Sequence, residues 1–163
     1  MNTVVTPESR VRLAAALGKI ASGLYIVTAR VDGVPIGMLC SFVEQASFEP
    51  PMITMAIGEG RPISPGLAPG CVFGLHVLGK GNNALMKSFA RGSSPEAFAA
   101  HPMVENAHDV PQFSEASSFL VARVEQQYRA GDHVLHLAQV LEGQQQHEED
   151  EPMVRVRGNG FKY

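Results

Sequence analysis

The dipeptide Asp32-Gly33 stands between two short apolar runs, LYIVTAR (residues 24–30) and VPIGMLCS (34–41). Asp-Gly tolerates the positive φ required at both centres of a primed turn, the turn whose twist matches two right-twisted strands, so this stretch predicts a β-hairpin. A second hairpin is predicted far down the chain, where SFLVARVEQQY (118–128) meets HVLHLAQVLEG (133–143) through RAGD. Two further apolar runs, MITMAIG (52–58) and CVFGLHVLG (71–79), lie between glycine and proline punctuation. Little of the chain is left for helices. One opens at Thr6, a hydroxyl N-cap followed by Pro7 and by Glu8 near the positive end of the helix dipole, with Leu13, Leu17 and Ile20 as its apolar stripe. NALMKSFAR (83–91) reads as a second helix, Gly92–Glu115 as irregular, and QQQHEEDE (144–151) as a solvated loop. Six or seven closely spaced strands with so few helices predict a mainly β fold, a closed or split β-barrel rather than a doubly wound sheet.

At 163 residues the chain has the size of one domain, expected to span 1–163. No apolar run is long enough for a membrane span, and the start, MNTVVTPESRVRLAA, lacks the basic and apolar regions of a secretory signal, so a cytoplasmic protein is expected. Two cysteines, Cys40 and Cys71, make neither a disulfide framework nor a metal-ligand spacing. A formal net charge of -3 and no basic run argue against a nucleic-acid partner. GKGNNA (79–84) lacks the third glycine and the acidic residue of a dinucleotide fingerprint and reads as a strand-to-helix loop capped by Asn82 or Asn83. HPMVENAHD (101–109) carries His101, Glu105, His108 and Asp109, but nothing periodic holds them as metal ligands, and a surface lid is the better reading. No G-x-S-x-G elbow supports a hydrolase.

The stretch GVPIGMLCSFVEQASFEPPM (33–52) is too polar for a buried central strand and too apolar for a solvent loop. A planar heterocycle such as isoalloxazine needs an apolar slab with a few aimed donors, and backbone N–H groups beside the small residues Gly37, Cys40, Ser41, Ala46 and Ser47 would supply them. EGRPISPG (59–66) adds Arg61 and Ser64, a cation and a hydroxyl able to meet a phosphate. His133 and His136 on one strand point to opposite faces, so they cannot act as a metal pair.

LGKIASGLYIVTAR (17–30), GMLCSFVEQASFEPP (37–51), HVLGKGNNALMKSFAR (76–91), AGDHVLHLAQVLEG (130–143) and RVRGNGFKY (155–163) together resemble the flavin reductase-like family, in the same order over most of the chain. The likeness is greatest to the flavin reductase module of cyanobacterial-type flavodiiron proteins, here without a diiron or flavodoxin module. The resemblance implies an FMN-binding split β-barrel with one N-terminal helix and one or two short connecting helices, working as a homodimer with flavin near the subunit interface. It implies FMN as cofactor, with FAD as the alternative, NADH or NADPH as co-substrate, and a redox partner protein as the destination of the electrons. Carried onto this sequence, the flavin-contacting run is Met38, Leu39, Cys40 and Ser41, with Gln45, Ala46 and Ser47 as a second contact segment. Arg61 and Ser64 match the approach to the flavin phosphate, His76 and Val77 a strand edge near the cofactor, and Phe89 a helix bordering it. Many members carry Thr-Ala-Asn-Ser where this chain has Met-Leu-Cys-Ser, so Cys40 replaces an asparagine. In Gly131-Asp132-His133 the resemblance makes His133 the catalytic candidate, orienting the nicotinamide. The alternative is a non-catalytic FMN-binding electron-transfer protein on the same fold.

Overall fold

The computed structural model describes residues 6–162, which fall into two compact units: one formed by the two ends of the chain, up to Ser22 and from Val154, the other Gly23–Met153.

In the first unit helix α1 (Pro7–Gly18) is capped by the Thr6 hydroxyl, which accepts from the Ser9 N–H at 3.2 Å. The expected stripe is not the packed face. Leu13 is 44% and Ile20 61% exposed, whereas Ala14 and Gly18 are buried. The small residues face inward because backbone must approach them: Gly160 N–H donates to Ala14 O at 2.7 Å and Arg157 N–H to Gly18 O at 3.0 Å. A Cβ on Gly160 would meet Leu17 Cβ at 2.3 Å, so only glycine allows this approach.

The second unit is built on seven strands: β1 (Tyr25–Val31), β2 (Val34–Cys40), β3 (Val43–Phe48), β4 (Pro51–Gly58), β5 (Val72–Val77), β6 (Ser118–Ala130) and β7 (His133–Gln145). Asp32 and Gly33 both have positive φ, 51° and 79°, as the primed turn requires. The strand order is β2-β1-β5-β6-β7-β4-β3, every pair of neighbours antiparallel. Strands β2 and β3 sit at opposite edges of that order, yet only Ser41 and Phe42 separate them in the chain. Seven strands laid flat would hold their edges about 29 Å apart, while three peptide steps reach about 11 Å. The sheet therefore curls until its edges meet, and the 41–42 link marks the seam. Inside the curl lie Val27, Cys40, Val43, Ile53, Met55, Ile57, Phe73, Leu75, Val124 and Ala138. A second apolar cluster, including Leu24, Ile26, Leu78, Leu85, Phe89, Phe98 and Phe113, packs on the other face of β1 and β5.

Helix α2 (Asn83–Phe89) follows the GKGNN loop, and Asn82 holds its N-cap position, as expected, but makes no side-chain hydrogen bond to the helix. Its side chain staples the loop instead, Oδ1 accepting from Gly79 N–H at 2.8 Å and Nδ2 donating to Glu115 O at 2.6 Å. The segment expected to be irregular holds α3 (Pro95–Ala99), capped by Ser94, and a short pairing of Met103–Val104 with Gln112–Phe113. Five- and two-residue elements are too short to show periodicity; what orders them is the burial of Phe98 and Phe113. Among the described residues no helix is long and apolar enough to cross a membrane.

Candidate functional site

Strand β4 points Ile53, Met55 and Ile57 inward, which leaves Thr54, Ala56 and Gly58 on the outer face. Residues paired across antiparallel strands share a face, so the register His133↔Gly58, Leu135↔Ala56, Leu137↔Thr54 puts His133, Leu135 and Leu137 beside them. The hairpin turn at Gly131, with φ of 66°, starts β7 at this edge. His133 Nδ1 lies 2.7 Å from Asp132 Oδ1, and the hydrogen bond with His133, followed by its charge, holds the Asp132 carboxyl below the ordinary range. The His133 ring centroid is 5.7 Å from that of Phe42. Glu59 N–H closes the corner on Asp132 O at 3.0 Å, and Glu59 pairs with Arg129 at 3.0 Å.

Gly58 forms a notch between two of the expected site residues. A Cβ there would lie 3.5 Å from Arg61 Nε and 3.9 Å from His133 Nε2, so the missing methyl leaves the strand surface open between a guanidinium and an imidazole. The Arg61 side chain is exposed and makes no ion pair among the described residues. Ser64 opens the short helix Ser64–Leu67, its N–H donating to Arg61 O at 2.9 Å.

Of the two seam residues, Phe42 borders the same face: its O accepts from Ala56 N–H at 2.9 Å and its ring lies against His133. Ser41 is 4% exposed and its Oγ has no hydrogen-bond partner among the described residues. An unsatisfied buried hydroxyl costs about 1–3 kcal/mol, and a polar atom of a bound molecule would remove that cost. Gln45, Ala46 and Ser47 follow on the edge strand β3, where a bulge between Gln45 and Ser47 leaves Ala46 without a partner in the register.

The other expected site residues are placed elsewhere. Met38 and Cys40 pack with the barrel core, and burial pushes the Cys40 thiol up to about 12, so it stays protonated. Leu39 packs against the second apolar cluster. Val77 is half-buried between Tyr25 and Ser118 in the sheet register. Phe89 is 1% exposed, with its ring 5.2 Å from both Phe98 and Phe113. His76 is fully buried, and both ring nitrogens are used: Nδ1–H donates to Ile26 O at 3.0 Å, and Nε2 accepts from Phe113 N–H at 3.0 Å. Burial lowers its pKa to about 4, so the ring is neutral and has no nitrogen left for a ligand. His136 points into the barrel, as alternation requires, with Nδ1 3.2 Å from Met55 O and a pKa lowered by burial.

Phe42, Gly58 and Asp132 are not among the expected site residues, Asp132 being expected only in the turn. The register identifies the second, and adjacency to Ser41 and His133 was the only available signal for the others. His101, expected on a surface lid, is instead buried at 8% exposure.

A profile described as a flavin reductase like domain matches residues 17–162. The chain belongs to the flavin reductase-like family. Membership places it among flavin-handling oxidoreductases. It is similar to Diflavin flavoprotein A 1 of Synechocystis sp., 36% identical over 134 residues, which are 80% of this chain and 23% of that protein. This chain spans about a quarter of the length of the diflavin relatives it matches. It is also 29% identical over 141 residues to the reductase component of a 4-nitrophenol 4-monooxygenase/4-nitrocatechol 2-monooxygenase from Rhodococcus opacus, covering 86% of this chain and 75% of that protein. Among solved structures, the Streptomyces globisporus C-1027 NADH:FAD oxidoreductase in complex with NAD and FAD fragments superposes with a TM-score of 0.81 at 25% identity, over 96% of this chain and 93% of that one.

Proposed function

We propose that this chain is an NAD(P)H-dependent flavin reductase that binds FMN, with FAD as the alternative, works as a cytoplasmic homodimer and delivers electrons or reduced flavin to a partner protein. The observation that carries this reading is the convergence of Arg61 and His133 on the Gly58 notch, with Phe42, the neighbour of Ser41 in the chain, against His133. A flavin fits these groups by its chemistry. Ser41 Oγ and the backbone of 41–47 offer polar contacts to ring and ribityl oxygens, and Arg61 with Ser64 offers charge and a hydroxyl to a phosphate. Half-buried Ala56, Leu135 and Leu137 supply an apolar surface against which a planar ring excludes water. Bound flavin and nicotinamide supply the hydride chemistry themselves, and the protein supplies binding and alignment. His133, steadied by Asp132, orients the nicotinamide. The resemblance to one quarter of larger diflavin proteins supports a partner that receives the electrons. Phe48, 87% exposed on the edge strand, supports a second chain covering that edge.

His133→Ala is the experiment that tests this assignment. In single-turnover stopped flow it is expected to slow flavin reduction about tenfold while leaving flavin affinity and thermal stability nearly unchanged, a loss of about 1.4 kcal/mol in alignment. Parallel loss of stability and flavin binding, with reduction unchanged once flavin is saturating, would make His133 a packing residue and remove it from the site.

A further inference from the structure

Away from the flavin face, three side chains from separate segments line up. Ser88 Oγ on α2 lies 2.8 Å from His101 Nε2, and His101 Nδ1 lies 2.5 Å from Glu115 Oε1. The His101 ring is held in place: its side chain is 6% exposed and it meets Phe113 edge-on at 74° with centroids 6.0 Å apart. Nitrogen and oxygen at 2.5 Å must share a proton, and a neutral imidazole carries only one N–H. In the neutral ring that proton therefore sits on Nδ1, facing the carboxylate. Nε2 is left with a lone pair, and the Ser88 hydroxyl is the only one of the two that can donate. The hydroxyl has a second acceptor, Ala84 O at 3.2 Å, the usual helical partner of a serine, but the contact to Nε2 is the shorter. A carboxylate orienting an imidazole that accepts a hydroxyl proton is the arrangement by which a weak oxygen nucleophile is activated. Ser88 is half-buried and the Glu115 side chain is 35% exposed, so the row is not sealed in the core.

We propose that Ser88 is an activated nucleophile that accepts an acyl group from an activated ester, with His101 as general base and Glu115 as the group that orients it. This activity is separate from flavin reduction. In the step, Ser88 Oγ bonds to the acyl carbon, the bond from that carbon to the departing oxygen breaks, and the hydroxyl proton passes through His101 Nε2 to the leaving alkoxide or phenoxide. No electrons are gained or lost, and no further reactant is needed. The chain has no G-x-S-x-G elbow; here a helix, a loop and a turn bring the three roles together.

The test treats the full chain with p-nitrophenyl acetate and, separately, with a fluorophosphonate probe, followed by intact mass and peptide mapping. One adduct per chain on Ser88 is expected. It should be absent in Ser88→Ala, which should keep wild-type flavin binding. General-base assistance contributes on the order of a hundredfold or more, so His101→Gln should slow labelling by about that factor. Glu115→Gln, at a partly exposed position, should slow it by about tenfold and guards against a His101 variant that fails to fold. Unlabelled protein, labelling scattered over other serines and lysines, or Ser88 labelled equally fast in wild type and Glu115→Gln would overturn the proposal. A failure of flavin binding or reduction would leave these outcomes unaffected.

Discussion

His76→Leu is expected to lower unfolding stability by about 2 to 6 kcal/mol, because it strands two buried backbone groups at about 1–3 kcal/mol each. The imidazole bridges Ile26 O on β1 and the Phe113 N–H of the segment that covers the second apolar cluster, and leucine can bond to neither. The same residue gives the wild type a pH dependence of known sign. The folded ring titrates at about 4, below the 6.5 of an exposed histidine, so as pH falls through 6.5 the unfolded chain takes up a proton that the folded chain refuses. Stability present above pH 6.5 is therefore lost on acidification, by about 3 kcal/mol when pH 4 is reached. Urea unfolding at pH 7.5 and pH 4.5 checks both statements: the variant should start less stable and lose about 2 to 3 kcal/mol less than the wild type between the two. Equal losses in the two proteins would show that His76 is not the group refusing the proton.

Arg61→Ala is expected to weaken FMN by about 1–3 kcal/mol and riboflavin by much less. Only FMN carries the phosphate that a guanidinium can meet with paired, charge-assisted hydrogen bonds. The side chain has no ion pair to lose among the described residues, so its removal should leave the melting temperature within about a degree or two. Calorimetric titration of both ligands into both proteins measures the difference. Equal weakening would make Arg61 indifferent to the phosphate.

The strands and their hairpins were legible because their signals are local. Asp32-Gly33 and Gly131-Asp132 name their own turns, and alternation along residues 52–58 and 133–138 assigns each side chain a face. The closing of the sheet was not local. It follows from the pairing order, in which two strands consecutive in the chain occupy opposite edges. The candidate site was read in part for the same reason. Arg61 and His133 are expected as individual candidates, but their meeting at Gly58 is a matter of register, and an unremarkable glycine at a strand end gives no sign of it. His76 and Phe89 looked like site residues by resemblance, while their burial depends on Phe98 and Phe113, from a segment whose short elements leave no periodic trace. In α1 the apolar stripe misled because the packed face was chosen by close backbone approach at Ala14 and Gly18 rather than by side-chain area.

The most direct measurement follows the visible flavin band under anaerobic conditions, first as protein is added to FMN and then as NADH or NADPH is added to the mixture. The proposed function predicts that the protein shifts the band with micromolar or tighter affinity, about 8 kcal/mol, and that one of the two nucleotides then bleaches it far faster than it bleaches free FMN. A band that protein leaves unmoved, or a bound flavin that neither nucleotide reduces faster than free FMN, would contradict it, the second result leaving an FMN-binding protein without a nicotinamide site.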